Sequence, residues 1–136
     1  MFRSLVPSSI HPPFSAYSHG ALVEGPARLI FCSGQLGIDA NGSIPADCGG
    51  QTRLCFENIR AVLGEAGMDL KHIVRINAYV TDRKHLPAYM EVRNALFSDP
   101  LPASTLMVVS GFARPEFVVE IEAAAAAPHE PEGNAP

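Results

Sequence analysis

The sequence predicts an α+β domain with the element order β-β-α-β-α-β-β and no internal repeat. Apolar and polar residues alternate over 74–81 and again over 117–125, which is typical of half-buried strands. An apolar stripe along 55–66 recurs at helical spacing. Because two helices can cover only one face of such a sheet, we expect the other face to be too apolar for water and to pack against another copy of the chain.

The composition fits one domain and argues against several classes of protein. The chain has 136 residues, 47% of them hydrophobic, and a net charge of -4, which suits a single core over residues 1–128 and a flexible polar tail at 129–136. The ten Lys and Arg residues form no basic stripe, so a nucleic-acid surface is not expected. No apolar run approaches the ~20 residues of a membrane span, and the N-terminus lacks the features of a signal peptide. A cytoplasmic location is therefore the default expectation.

The first part of the chain is predicted to form a hairpin. Residues 1–16 lack periodicity and are predicted to be an extended lead-in, whereas Ser18–Val23 and Leu29–Ser33 are predicted to pair with each other. The second strand is continuously apolar up to Cys32, which predicts burial on both of its faces. It runs into Gly34, where the missing side chain lets a ligand or another backbone approach closely.

The remaining elements are two helices and three strands, each marked by caps or by alternation. An Asp at the N-cap accepts hydrogen bonds from free backbone N–H groups, and Gly just past a helix end adopts the left-handed conformation. The predicted elements are a helix from Asp47 to Gly67, a strand at Val74–Thr81, a helix at Lys84–Phe97 capped by Asp82, and strands at Ser104–Val109 and Phe117–Ala125.

Glu120 is the most prominent candidate for chemistry, because it lies within an apolar strand. A buried and unpaired carboxylate is costly, so Glu120 is expected to have a partner or a raised pKa suited to proton transfer. Glu122 shares its face, however, and the pattern alone slightly favours a solvated outer face. Closure of that face by another copy of the chain would reverse this balance.

Other polar residues give weaker signals. Tyr17 and His19 can reach the rim of a pocket, although a surface position is favoured for His19. Arg114 is interpreted as an exposed loop charge, with carboxylate binding as the alternative. The three cysteines are interpreted as packing residues, because no sequence feature supplies a base to form a thiolate. The five histidines show no spacing typical of metal ligands, so no metal site is expected.

Short motifs along most of the chain share their order with a known family. They are Tyr17-Ser-His-Gly20, Ser33-Gly34-Gln35, Gln51-Thr-Arg53 with Glu57-Asn58-Ile59, Glu65-Ala-Gly67, Tyr79-Val-Thr-Asp82, Pro102-Ala103 and Val119-Glu-Ile-Glu-Ala123. The set spans about Tyr17 to Ala127. Taken together, these motifs resemble the YjgF/YER057c/UK-type family, also called the RidA family of reactive-intermediate enamine/imine deaminases.

The resemblance implies a chorismate-mutase-like α+β fold and a homotrimer with three ligand clefts between its subunits. Deaminase members hydrolyse enamines or imines of the 2-aminoacrylate type to 2-keto acids and ammonia, and they use no cofactor. Carried over by position, Tyr17 lines the cleft, Ser33 and Gly34 contact the substrate, and Glu120 positions water or relays a proton. The expected partners are therefore a small metabolite and two further copies of the chain.

The chain departs from the family pattern where the substrate carboxylate is usually bound. Active deaminases usually have Arg directly after a Pro-Ala pair, and here Ser104 occupies that position. Thr105 and Leu106 stand where Ser and a small Cys are common, and Met90 stands where Asn often lines the cleft. Arg114 is a candidate substitute for the missing charge, although it lies on a different loop.

Two hypotheses follow from these observations. The favoured one is a hydrolase that acts on an enamine, an imine or another small unsaturated metabolite. In it, Glu120 is the general acid/base, and Ser33 and Gly34 donate hydrogen bonds with Ser104 or Thr105. The change at Ser104 predicts a substrate without an α-carboxylate, or one whose carboxylate is bound differently. The alternative is a non-catalytic trimer that binds a metabolite or a partner.

Overall fold

The fold is built on a four-stranded mixed sheet, and the computed structural model describes residues 2–129. The elements are β1 (Phe2–Leu5), β2 (Gly20–Val23), β3 (Ala27–Leu36), α1 (Cys48–Gly64), β4 (Ile73–Val80), α2 (Leu86–Leu96), β5 (Ala103–Val108) and β6 (Val119–Pro128), with 3-10 turns at Leu70–His72 and Arg83–His85. The sheet order is β3-β6-β4-β5, and only β4 and β5 run parallel. The α+β class and the mixed sheet with two helices are confirmed. Apart from His129, the predicted flexible tail at 129–136 lies outside the described residues.

The pairing of the first strands differs from the prediction. β1 lies within the stretch that was predicted to be an extended lead-in, and it pairs with β2 in a separate two-stranded sheet. β3 pairs antiparallel with β6 instead. The predicted hairpin is therefore wrong. The physical reason is length: β3 and β6 have 10 residues each, whereas β2 has 4, so β6 offers β3 a longer hydrogen-bonded ladder.

β3 is buried on one face only. Cys32 is buried, but Leu29 and Phe31 are 58% and 79% exposed. The prediction of burial on both faces is therefore wrong for the single chain, because no helix covers the face to which these two side chains point.

The two helices share one hydrophobic core with the other face of the sheet. α1 begins after Asp47, whose carboxylate accepts a hydrogen bond from the Gly50 N–H at 2.9 Å, as predicted. Its end is closed by a bond of 3.0 Å from the Met68 N–H to the Leu63 carbonyl, with Gly67 at a φ of 72°. The largest buried apolar side chains of this core include Phe56, Ile59, Leu63, Tyr89, Ile73, Ile76 and Ile121.

The sheet face opposite the helices, here called the open face, is more polar than predicted. Its exposed large apolar residues include Leu29, Phe31 and Met107. At its centre, Glu122 accepts hydrogen bonds from the Tyr79 hydroxyl at 2.8 Å and from the Asn77 amide at 3.1 Å. The bond from Tyr79 to Glu122 is the main cause that raises the pKa of Tyr79. The open face thus combines a polar centre with exposed apolar side chains.

Candidate functional site

The Glu120 carboxylate lies against Gly34, at the point where β3 departs from regular pairing. The register with β6 shifts between Cys32 and Gln35, so Ser33 and Gly34 form a bulge. A Cβ placed on Gly34 would come within 2.8 Å of the carboxyl carbon of Glu120. Only glycine leaves room for the carboxylate there. The structure therefore brings Gly34 and Glu120 together, and Ser33 precedes Gly34 in the bulge. These three predicted site residues, Ser33, Gly34 and Glu120, are here called the Glu120 cluster.

Gln51 on α1 fixes the chain on both sides of this cluster. Its side-chain amide donates to the carbonyls of Pro45 and Glu116, both at 2.9 Å, and accepts from the Val118 N–H at 3.0 Å. Gln51 is fully buried and packs against Gly37. A Cβ added to Gly37 would lie 2.6 Å from the Cβ of Gln51. Gln51 thus ties the loop before α1, at Pro45, to the segment that leads into Glu120's strand.

Replacement of Gln51 by Leu is expected to lower the free energy of unfolding by about 2–4 kcal/mol, because a buried N–H and two carbonyls lose their partner. Leu has a similar volume, so the lost hydrogen bonds dominate over cavity formation. Urea denaturation measures the change. Arg53→Leu, at an exposed position of the same helix, is the control and is expected to change stability by less than ~0.5 kcal/mol. Equal stability of the two variants would contradict this role of Gln51.

A second group of side chains lines a cavity of about 200 Å³ between α2 and the edge strand β5. The lining residues of this α2 cavity are Phe14, Tyr17, Met90, Arg93, Ser104 and Leu106. Four of them were predicted from the sequence to contact a ligand: Tyr17, Met90, Ser104 and Leu106.

The N-terminal segment reaches the α2 cavity because Ser18 pairs with the start of β5. The Ser18 N–H donates to the Pro102 carbonyl at 3.0 Å, and Ser18 forms a parallel bridge with the first residue of β5. This pairing places Tyr17 beside Ser104. His19 is exposed, as favoured from the sequence, and its ring is hydrogen-bonded to a backbone carbonyl at 2.6 Å.

Arg93 lines the same cavity, and the sequence analysis missed it. Its guanidinium carbon lies 5.7 Å from the ring centroid of Tyr17 and 5.6 Å from that of Tyr89. Its Nη1 is 3.5 Å from the Ser104 hydroxyl, and its Nη2 is 3.1 Å from the Met90 sulfur. A charged residue on a helix normally indicates the solvated face. The available signal was its spacing of four residues from Tyr89, which places both side chains on one side of α2.

Thr105 and Arg114 lie outside both groups. The Thr105 hydroxyl faces the open side of the sheet and accepts a hydrogen bond from Arg75 at 2.9 Å. Arg114 is exposed and pairs with Glu116 at 2.9 Å, and this bond is the main cause that lowers the pKa of Glu116. The interpretation of Arg114 as an exposed loop charge is confirmed, and the structure does not bring it to Ser104.

Within one chain the Glu120 cluster and the α2 cavity do not face each other. Ser104 pairs with Ile76, whose side chain is buried beneath the helices, whereas Glu120 pairs with Tyr79 on the open face. The cluster also belongs to the β3 side of the sheet and the cavity to the opposite edge, at β5. The single chain therefore presents these two groups of residues on different faces.

The three cysteines belong to neither the Glu120 cluster nor the α2 cavity. All three are buried free thiols, and burial raises the pKa of Cys55 to about 12 and also raises the pKa values of Cys32 and Cys48. These pKa shifts suppress the nucleophilic thiolate. Within residues 2–129, no group of three or more His, Cys, Asp or Glu residues is arranged to hold a metal ion. The helices of the same residues are too short or too polar to cross a membrane.

The Cys55 thiol is expected to react with Ellman's reagent at neutral pH at least ~100-fold more slowly in the native protein than in denaturant, because its pKa is raised to about 12 and the thiolate fraction falls tenfold per pKa unit. The Cys32 and Cys48 thiols are expected to be slowed as well, because burial raises their pKa values. Absorbance during labelling of native and denatured protein measures both rates. Rapid labelling of one thiol in the native protein would contradict the packing role of that residue.

Comparison with family models gives one match that covers most of the chain. Residues 9–127 match the family described as Endoribonuclease L-PSP. Among curated relatives, the mitochondrial protein mmf2 of Schizosaccharomyces pombe is 40% identical over 77 residues, which is 57% of this chain and 61% of mmf2. This chain therefore spans less than two thirds of the length of that relative.

Three solved structures share the fold over most of their length. The Rid-family protein YyfB of Yersinia pestis, described as of unknown function, has a TM-score of 0.79 at 28% identity and covers 93% of this chain and 98% of its own. TdcF of E. coli with bound serine has a TM-score of 0.67 at 29% identity, with coverages of 90% and 93%. Rv2704 of Mycobacterium tuberculosis, described as a member of the YjgF/YER057c/UK114 family, has a TM-score of 0.65 at 34% identity, with coverages of 82% and 86%. The chain thus belongs to the Endoribonuclease L-PSP family, which includes the YjgF/YER057c/UK114 and Rid proteins.

Proposed function

We propose that the protein hydrolyses an enamine or imine of a small metabolite in clefts between copies of the chain. The observation that carries this proposal is the Glu120 carboxylate held against Gly34 at the β3 bulge. A half-buried carboxylate next to a glycine leaves room for a bound substrate and a water molecule, and it can accept a proton from that water. The fold's similarity to TdcF, which binds serine, supports a substrate of amino-acid size.

The proposed reaction adds one water molecule across the C=N bond of an imine. The enamine first tautomerises to the imine, and Glu120 accepts a proton from water while the water oxygen bonds to the imine carbon. Return of that proton to the nitrogen gives a neutral carbinolamine. Glu120 then accepts the carbinolamine hydroxyl proton and passes it to the nitrogen, so that the C–N bond breaks, ammonia leaves and a C=O bond forms. One carboxylate that alternates between base and acid suffices for both transfers. The products are a ketone or keto acid and ammonia.

We propose that each cleft combines the Glu120 cluster of one copy with the α2 cavity of another. The two half-sites lie on different faces of one chain, so one ligand can contact both only across an interface. A head-to-tail contact that closes into a ring, such as a trimer, repeats this pairing at every interface. The exposed Leu29, Phe31 and Met107 on the open face support its burial in such an assembly. Analytical ultracentrifugation measures the number of copies.

The proposal is tested with 2-aminoacrylate generated in situ from serine by a pyridoxal-phosphate dehydratase, and with imines that lack a carboxylate. Keto acid and ammonia formation are compared with the spontaneous rate. We expect acceleration that depends on protein concentration for at least one of these imines. Hydrolysis at the spontaneous rate for every imine would contradict the proposal.

The alternative proposal is a non-catalytic oligomer that binds a metabolite or a partner. It is favoured by Ser104, which stands where a cationic side chain is expected from the family resemblance. Binding of serine without turnover of any imine would support it.

Two further aspects remain predictions. The family description names an endoribonuclease, but the net charge of -4 and the scattered basic residues favour a small metabolite over RNA as the ligand. A cytoplasmic location was expected by default, whereas the relative mmf2 is described as mitochondrial. Fractionation of cells that express the full protein decides between these locations.

A further inference from the structure

Arg93 carries a buried positive charge that no carboxylate neutralises within residues 2–129. It is 2% exposed, and it belongs to none of the salt bridges of this part of the chain. Its polar neighbours are neutral: Asn94 Oδ1 lies 3.3 Å from Nε and 3.2 Å from Nη2, and the Ser104 hydroxyl lies 3.5 Å from Nη1. A buried charge without a partner is strongly unfavourable. An anion in the adjoining cavity would compensate it.

The groups around the guanidinium orient it without supplying negative charge. The rings of Tyr17 and Tyr89 flank it, which stabilises the cation and restricts its plane. The Tyr17 hydroxyl accepts from the Phe14 N–H at 3.2 Å, so its own proton remains free to donate. Behind the guanidinium, the buried Tyr89 hydroxyl has no hydrogen-bond partner among the described residues. The region therefore offers donors and lacks acidic side chains.

The size and walls of the α2 cavity limit the ligand. Its volume of about 200 Å³ is that of roughly six or seven water molecules, since each occupies about 30 Å³ in the liquid. Phe14, Met90 and Leu106 form an apolar wall, and the polar lining is restricted to Tyr17, Arg93 and Ser104. A ligand with a short aliphatic chain and an anionic end would place the chain against the apolar wall and the anion against the polar lining.

We propose that Arg93 is the anion-binding residue of the candidate site and that the ligand is a small aliphatic carboxylate. Its oxygens would bind Arg93 Nη1 and the Ser104 hydroxyl. This inference rests on the proposed function, because it names the substrate class for the α2 half of the cleft. It also revises the expectation that Ser104 leaves the site without a positive charge: the guanidinium comes from α2 instead of β5.

The test compares the binding of pyruvate with that of methyl pyruvate, its uncharged ester, by calorimetry with the full-length protein. Wild type is expected to bind pyruvate at least ~10-fold more tightly than the ester. Arg93→Met is expected to weaken pyruvate binding by about 10- to 100-fold and to leave ester binding unchanged. Arg83→Met removes one exposed arginine from the 3-10 turn that precedes α2, outside the lining of the cavity, and is expected to bind both probes like wild type.

Three results distinguish this inference from its failure. Equal affinity of wild type for pyruvate and its ester would overturn it without the use of any variant. Unchanged pyruvate affinity in Arg93→Met would also overturn it, whereas recovered affinity in Arg93→Met/Ser104→Arg would support it. Binding is measured without turnover, so these outcomes are independent of hydrolysis. Pyruvate binding that persists in Glu120→Gln, together with lost hydrolysis, would support separate roles for the two half-sites.

Discussion

Replacement of Glu120 by Gln is expected to reduce imine hydrolysis by about 100- to 10,000-fold, the usual contribution of a general acid/base. Gln has the same shape but cannot accept the proton from water. Because the substitution leaves ligand contacts in place, KM is expected to stay nearly constant while kcat falls. Steady-state rates of keto acid formation measure both parameters.

The control for this variant is Glu122→Gln, which makes the same change two residues along the same strand face. Glu122 accepts hydrogen bonds from Tyr79 and Asn77, whereas the three atoms nearest to a Cβ placed on Gly34 all belong to Glu120. It is therefore expected to retain nearly full turnover. Equal losses in the two variants would show that the open face needs both charges and that Glu120 has no distinct chemical role.

Replacement of Gly34 by Ala is expected to lower turnover by about 10- to 100-fold, because small displacements of catalytic groups have effects of this size. The new Cβ would lie 2.8 Å from the Glu120 carboxyl carbon and 3.0 Å from its Oε1, so the carboxylate must move. The displaced atoms belong to the end of a flexible side chain. Stability is therefore expected to change much less than activity.

Gly64→Ala is the matched control for this second variant. An added Cβ at Gly64 meets no heavy atom within 4 Å, and the residue lies at the end of α1. Alanine there is expected to raise the free energy of unfolding by up to ~1 kcal/mol with unchanged turnover. Wild-type activity in Gly34→Ala would contradict the claim that the bulge positions the carboxylate.

Local signals in the sequence predicted most elements of the fold. Alternation identified β4 and β6, and Asp47 and Gly67 marked the ends of the first helical segment as the structure has them. Asp82 caps a 3-10 turn instead of α2 itself, which begins at Leu86. Such one-turn differences arise because a capping residue marks where helical structure begins, but it does not determine whether the first turn is a 3-10 or an α-helical turn.

Strand pairing could not be read from local signals. β1 pairs with β2 across a long intervening loop, and β3 pairs with a strand near the other end of the chain. Both choices depend on contacts between residues distant in sequence, which periodicity does not encode. The continuous apolar run of β3 was ambiguous for the same reason, since apolar residues such as Phe31 suit a subunit interface as well as a core.

The candidate site was predictable in part. Gly34 and Glu120 were singled out separately, and the β3–β6 pairing shows that they touch. Arg93 was missed because its burial depends on the packing of Tyr17 from the N-terminal segment over α2, which the helical pattern does not reveal. The sequence therefore pointed to Arg114 as the substitute for the positive charge missing at Ser104, whereas the structure places Arg93 of α2 beside Ser104.

The most direct test of the account is subunit complementation between two inactive variants. Glu120→Gln disables the Glu120 cluster, and Ser104→Phe fills the α2 cavity. Each variant alone is expected to be inactive, whereas equal amounts refolded together are expected to regain about one quarter of wild-type turnover, because random assembly joins two intact half-sites in that share of the interfaces. Wild-type protein refolded in the same way is the reference. A mixture as inactive as its components would contradict a site shared between copies of the chain.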